Sequence, residues 1–350
     1  MASSRVALSA IAAAAFLTVT IAGCGPSGST PGASKTDGSD SPAKGYPAKV
    51  ANCGGEISVT KAPQRIVAMN QSSTETLLSL GLGDRMVGTS TWFDPVLPRF
   101  TEQNSRIPRL ADNNPSMETV LGAKPDFVAA TYFADLPGEG STKPEAFTRL
   151  GVPVYMAPAE CAKSPGGKGD GERTAKLSLD AIYQEVAELA SLTGRREAGE
   201  EMVASLKKRV EAVSGQGKKH PVTAAFWFAS SESPYVAGGL GSPQIAAEAV
   251  GMTNVYAGSQ QEWPQVGWED FATKDPDVIV IADLARRRKS ADSGDEKIDF
   301  LEKHPVTSQM RAVKNKQYIR LAGSELNPSI RTVDSMEKLA AGIEKLGLRS

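Results

Sequence analysis

Short apolar runs and longer amphipathic stretches alternate along this chain. Runs at 65–69, 86–88, 127–130 and 154–156 are too short for buried helices and too continuous for half-exposed strands, so they predict buried parallel strands. Between them, 72–81, 115–124 and 144–150 have helical spacing, with Ser, Thr or Pro near their starts. The pattern returns with strands at 223–228, 254–256, 278–281 and 317–321, a helix leading to Val250 and Gly251, and a closing helix over about 329–346. A further short strand at 57–60 belongs to an opening hairpin. The alternation predicts an α/β fold of two Rossmann-like lobes, each with a mostly parallel sheet.

Between the two sets the pattern is helical alone. Apolar residues fall at Leu179, Ile182, Val186 and Leu189, and after Thr193-Gly194 at Ala198, Met202, Leu206 and Val210. Ser178 suits an N-cap and Gly194 a break. A helix over 196–213 would be about 27 Å long, enough for one long helix to join the lobes. The predicted division is a first lobe at 46–177, a linking spine at 178–213 and a second lobe at 214–350. Both lobes share a turn, Lys124-Pro125-Asp126-Phe127-Val128 in one and Asp275-Pro276-Asp277-Val278-Ile279 in the other. Glu118 and Glu269 each stand seven residues before the proline, so a helix of equal length feeds the same turn twice.

The N-terminus changes the picture of where the protein works. Arg5 precedes an apolar stretch at 6–21, and Ile21-Ala22-Gly23-Cys24 resembles a bacterial lipobox. The reading is a lipoprotein signal peptide at 1–23, a diacylated Cys24, and an extracytoplasmic protein anchored to the cell membrane. Residues 24–45 are Gly, Ser, Pro, Thr, Ala, Lys and Asp almost throughout, and read as a flexible tether. With Cys24 carrying lipid, Cys53 and Cys161 remain in a compartment where disulfides persist. A bond between them would staple the N-terminal arm to the first lobe, contributing about 3–5 kcal/mol in the chain-entropy model. Two unpaired thiols are the alternative.

Composition narrows the function classes. The chain has 350 residues, 40% of them hydrophobic, and a net charge of -1, so no basic field suggests nucleic acid. The two histidines, His220 and His304, lie in loop-like contexts beside prolines, and no metal site is expected. Gly238-Gly239-Leu240-Gly241 matches neither a dinucleotide fingerprint nor a phosphate loop, and no H-E-x-x-H or G-x-S-x-G occurs. An enzyme is not expected.

In open α/β sheets ligands lie at the carboxyl ends of strands. Candidate ligand residues there are Asn70, Trp92, Tyr132, Trp227, Tyr235 and Trp263, with Phe93, Phe133 and Trp268 nearby. Flat aromatic faces suit a chelate, a corrin or a flavin-like ring. The alternative for Trp227 and Trp268 is the core. Arg287, within the run Arg286-Arg287-Arg288, and Arg331, opening the last helix, are candidate contacts for ligand anions.

Four blocks carry a resemblance: 63–70 with Glu75 and 77–88; 115–118 with 124–128; 235–244 with Gly251, Asn254 and Val255; and 275–280. Together they resemble the helical-backbone (class III) periplasmic binding proteins that serve ABC importers of iron–siderophores, cobalamin, heme and related compounds. The resemblance implies two rigid lobes around a ligand cleft, a monomer, and docking to an ABC permease dimer through an acidic residue on each lobe. Those positions match Glu75 and Glu248; the alternative for each is a solvated helical carboxylate. The implied function is delivery of an iron–siderophore or similar cofactor-sized ligand, with no covalent cofactor beyond the lipid. Cys53-Gly54, Cys161 and 234–239 resemble an actinobacterial subgroup in which some members are labelled for siderophores and others for an F420 precursor. Cobalamin or heme uptake, or a ligand-sensing lipoprotein without a transporter, are the other readings.

Overall fold

The apolar runs become two sheets. In the computed structural model, which describes residues 45–138, 143–163, 173–214, 221–286 and 289–348, the chain opens with a hairpin of β1 (Ala48–Asn52) and β2 (Gly55–Val59). The first lobe follows as β3 (Ile66–Met69), α1 (Gln71–Ser79), β4 (Met86–Ser90), α2 (Thr101–Ser105), β5 (Arg109–Ala111), α3 (Met117–Gly122), β6 (Phe127–Ala130), α4 (Lys143–Thr148), β7 (Val154–Met156) and α5 (Pro158–Cys161). Its five strands are all parallel in the order β5-β4-β3-β6-β7, with β3 and β6 paired from Ile66↔Phe127 to Met69↔Ala130. Every residue of β3 and β6 is buried, as strands covered on both faces require.

After α6 (Leu179–Thr193) and α7 (Arg196–Val213) comes the second lobe. It comprises β8 (Val222–Ala229), β9 (Tyr235–Val236), α8 (Ser242–Ala249), β10 (Met252–Asn254), α9 (Trp268–Lys274), β11 (Val278–Asp283), α10 (Gly294–Lys303), α11 (Arg311–Lys314), β12 (Tyr318–Ala322) and α12 (Arg331–Lys345). The strands β10-β8-β11-β12 are parallel, and β9 adds antiparallel to β8. The strand expected at 254–256 sits two residues earlier. Asn254 ends it by donating to the Ala237 and Gly238 carbonyls and accepting from the Tyr256 N–H.

The repeated Pro-Asp turn has one job in both lobes. Lys124 (φ 50°) and Asp275 (φ 35°) take left-handed conformations that end α3 and α9. Asp126 then accepts from the backbone N–H groups of Gln64 and Arg65, just before β3, and Asp277 accepts from the N–H and hydroxyl of Thr223 in β8. Each carboxylate thus fixes the start of a neighbouring strand.

The linking segment folds back on itself. Gly194 (φ 74°) caps α6, and α7 returns along it so closely that a Cβ on Gly199 would stand 2.4 Å from the Ala190 Cβ. Ile182, Val186 and Leu189 of α6 are buried, the last two in the first-lobe core. At its other end α7 reaches the second lobe, where Arg209 pairs with Asp334 (2.5 Å) and Glu337 (2.7 Å) of α12. α7 thus runs from the first lobe to the second, and α6 beside it spans the same junction in the opposite direction: Leu179 and Ala181 of its first turn pack against the second-lobe core and its later turns against the first.

The opening hairpin is tied to the edge strand β7. Cys53 and Gly54, both at positive φ, form its tight turn, and Cys53 is disulfide-bonded to Cys161. Asn52 exchanges two hydrogen bonds with the Met156 backbone, satisfying groups that an edge strand otherwise leaves open. Residues 1–44, with Cys24 and all of the tether but Gly45, lie outside the described residues, as do His220 and Arg287. Among the described residues no helix is long and apolar enough to cross a membrane.

Candidate functional site

The carboxyl ends of both sheets face each other across the junction of the lobes, and polar contacts cross it at two edges. At one edge Asp94, in the loop after β4, accepts from the Ser324 N–H after β12 at 2.7 Å. Beside it Arg331 Nε donates to Glu75 at 2.6 Å, a second guanidinium nitrogen pairs with the same carboxylate, and Arg331 also donates to the Pro95 carbonyl at 2.9 Å.

This pair corrects two expectations. Glu75 is 1% exposed and Arg331 5% exposed. The helix carrying Glu75 is buried from Gln71 to Leu78, so this carboxylate is not presented to a docking partner. It also accepts from Gln71 and from the Leu97 N–H, which completes its coordination. Arg331 spends its fork on tying the lobes together rather than on the cleft. Both partners are charged and hydrogen-bonded, as burial of a charge demands.

At the opposite edge lies a second buried cluster. Lys163 pairs with Glu160 (3.0 Å) and with Glu262 (2.8 Å), and its ammonium stands 4.8 Å over the Tyr132 ring. Arg173 pairs with Glu262 at 2.9 Å and donates to the Ala159 carbonyl at 2.6 Å. Burial acts to raise the Glu262 pKa, but Arg173 and Lys163 outweigh it and hold the carboxylate below its usual range. Next to the cluster, burial pushes Asp135 up to about 7 against the hydrogen bonds it receives from the Tyr132 N–H and Asn70. Burial likewise pushes the Tyr132 hydroxyl up.

Between these edges runs a strip of half-buried rings with the half-buried Arg286 and the exposed Lys289. The Arg286 guanidinium lies 5.4 Å from the Phe93 ring of the first lobe and 5.3 Å from the Phe228 ring of the second. Trp263 packs on Phe228 with centroids 4.6 Å apart, and Lys289 sits 5.0 Å over Tyr235. Arg286 is also 3.8 Å from Asp292. A guanidinium flanked by aromatic faces is an arrangement that lowers the cost of desolvating the cation.

The expected ligand residues divide accordingly. Tyr132, Tyr235 and Trp263 are on this strip or at its Tyr132 edge. Trp92 is buried under the Arg109 guanidinium, 4.6 Å from its ring. Asn70 is a fully buried N-cap of α1: at φ 97° its side chain accepts from the Ser72 N–H and donates to Asp135. Trp227 is a core residue with no exposure, packed edge-on to Trp268 and donating to the Ala229 and Ser230 carbonyls. Period-two alternation explains this, since Trp227 and Phe228 point to opposite faces of β8. Glu248 is on the last turn of α8 at the surface, paired with Lys176 and Gln244. Burial acts to raise its pKa, and those two partners outweigh it and keep it low.

Sequence reasoning passed over Phe228, Arg286 and the cluster of Glu160, Lys163, Arg173 and Glu262. Arg286 carries a weak signal as the first cation after β11; Glu262 carries none. Among the described residues no group of His, Cys, Asp or Glu has the arrangement of a metal site.

Known proteins share this architecture. A vitamin B12-binding protein of Vibrio cholerae is 23% identical over 280 residues, covering 79% of this chain and 87% of its own length. A periplasmic binding protein from Veillonella parvula superposes with a TM-score of 0.71 at 24% identity, covering 86% of this chain and 98% of that one. The structure of an ABC-type Fe3+-hydroxamate transport system from Saccharomonospora viridis does so with a TM-score of 0.68 at 24% identity, covering 85% and 99%. The profile of the periplasmic binding protein family matches residues 66–324, most of both lobes and the helices between them. This chain is a member of the periplasmic binding protein family.

Proposed function

We propose that the protein is a lipid-anchored, extracytoplasmic substrate-binding protein that delivers an iron–siderophore, or a ligand of similar size and flatness, to an ABC importer. The observation that carries this reading is the Arg286 guanidinium held between Phe93 and Phe228, one ring from each lobe, with Trp263 continuing the aromatic surface. A flat chelate on such a strip would touch both lobes at once, which is what a transporter needs in order to read occupancy. The Vibrio relative and the Saccharomonospora structure support ligands of the cobalamin and ferric-hydroxamate kind by their descriptions. The lipid on Cys24 rests on the lipobox, and permease docking through the second lobe on the surface position of Glu248.

The test is fluorescence titration of protein lacking residues 1–24 against ferric hydroxamate and catecholate chelates, cobalamin, hemin and an F420 precursor. Saturable quenching by one of them, weakened at least tenfold by Arg286→Ala or Phe228→Ala with the melting temperature kept, supports the reading. No response to any of them overturns it. Labelled palmitate entering the wild type but not Cys24→Ser tests the anchor. In cells, Glu248→Lys should lower uptake while ligand affinity stays unchanged.

A further inference from the structure

The amino ends of the first lobe's strands form a basic edge. Parallel pairing sets Ile66 of β3 beside Met86 of β4 and Phe127 of β6, so the residues leading into these strands stand side by side, about 5 Å apart from strand to strand. Arg65 and Arg85 directly precede β3 and β4, and Lys124 opens the turn into β6. The α6–α7 turn joins them: Arg85 donates to the Thr193 carbonyl at 3.0 Å and Arg195 to that of Gly81 at 3.2 Å. Ala62 packs there too, its Cβ 3.8 Å from where a Cβ on Gly194 would stand.

The four segments that meet, 61–65, 81–85, 122–126 and 193–197, carry Lys61, Arg65, Arg85, Lys124, Arg195 and Arg196 against Asp84, Asp126 and Glu197. The acids Glu200 and Glu201 of α7 stand a turn further along. The chain as a whole has a net charge of -1, so this excess is local. Among the described residues none of the six cations forms an ion pair. Arg65 donates to the Ala123 and Lys124 carbonyls at 2.7 and 2.8 Å. Like those of Arg85 and Arg195, its acceptors are neutral carbonyls at helix ends, which leave the charge in place. Asp126 is occupied by the N–H groups of Gln64 and Arg65.

The described chain also begins here. Tyr46 donates its hydroxyl to the Leu192 carbonyl at 3.0 Å, beside the same turn. Even fully extended, the chain from Cys24 to Gly45 spans at most about 75 Å. A lipid on Cys24 therefore keeps the basic edge within that distance of a bilayer, and each Lys or Arg that reaches an anionic surface gains about 1 kcal/mol.

We propose that this edge docks on the anionic phospholipid headgroups of the membrane that carries the anchor. The proposal rests on the lipoprotein reading above and adds an orientation to it. The carboxyl ends of the same strands, where the cleft lies, are directed away from the bilayer while the edge is docked.

Cosedimentation with vesicles tests this on protein lacking residues 1–24, a cut outside every described element. The expected result is at least fivefold more protein on vesicles of equal parts phosphatidylglycerol and phosphatidylcholine than on phosphatidylcholine alone. The difference should vanish at about 0.5 M salt, where screening confines the attraction to a few Å. Lys61→Gln, Lys124→Asn and Arg196→Gln together remove three charges while sparing the arginines that bond the helix ends; asparagine suits the left-handed backbone of Lys124 (φ 50°). This triple variant should lose the preference for anionic vesicles with its melting temperature kept. Lys274→Gln, Lys314→Gln and Lys316→Asn make the same change of charge on exposed residues of the second lobe and should bind as the wild type does. Equal binding of the wild type to both kinds of vesicle overturns the proposal, and so does equal loss in both triple variants, because net charge alone would then act. Amide hydrogen exchange on the anionic vesicles should show protection at 61–65, 82–85 and 194–197, whereas protection at 228–235 instead overturns the orientation. Palmitate labelling reads the anchor separately. Vesicle binding without label removes the anchor and leaves the surface; label without vesicle binding removes the surface alone.

Discussion

Glu185 on α6 offers a test in which removing a charge should stabilise the protein, and only above a certain pH. The residue is 3% exposed, and its Oε1 has no hydrogen-bond partner among the described residues. Burial, with a smaller contribution from Glu188 one turn on, pushes its pKa from 4.5 up to about 8. The native state thus keeps a proton that the unfolded chain releases near pH 4.5. Stability is unaffected by this group below that pH and falls as pH rises towards 8, by about 1.4 kcal/mol per pH unit. Across the whole window the loss is on the order of 5 kcal/mol, a large share of the roughly 5–15 kcal/mol by which folded domains are stable. Glu185→Gln resembles the protonated acid in shape and cannot ionise. Urea unfolding of both proteins from pH 5 to 7.5 should show the variant's advantage growing by about 3–4 kcal/mol. Asp135 titrates in the same window but is common to both proteins, so it cancels in the difference. Parallel stability curves across that range would refute the reasoning, because they would mean that Glu185 is ionised in the folded protein.

Three further perturbations separate structural from ligand-binding roles. Glu75→Gln should cost about 3–5 kcal/mol by leaving Arg331 buried without its carboxylate, whereas the double change Glu75→Leu with Arg331→Met should recover most of that; a single-variant loss below about 1 kcal/mol in urea unfolding would place the pair in solvent. Reduction of Cys53–Cys161, which closes a loop of sequence separation 108, should lower stability by about 4–5 kcal/mol, and an unchanged melting curve in reductant contradicts this. Trp227→Ala should cost about 3–5 kcal/mol of stability through the cavity it leaves; a variant that keeps its stability and loses only ligand quenching would return Trp227 to the cleft.

How far the sequence speaks depends on how local each cause is. The strands β3, β6 and β11 are legible because their burial follows from their own apolar runs, and the repeated turn because Asp126 and Asp277 each act on the strand beside their own. The class of fold follows from such elements taken together. Glu75 and Arg331 show where this stops. Read along the chain, Glu75 suits a docking carboxylate and Arg331 a ligand contact, and each is instead buried against the other, which arrives from 256 residues away. The same holds for Glu262, which meets Arg173 at a separation of 89. Among the cations after β11 the sequence reading singles out Arg287, and what distinguishes Arg286 is the two rings that close on it from different lobes. Residues whose environment is made by both lobes are therefore the ones that pattern reading misplaces. They are also the ones that a change in lobe spacing would affect first. On the proposed reading, in which the ligand lies between the lobes, variants at Arg286 and Phe228 therefore test recognition more directly than any at the better-predicted strand positions.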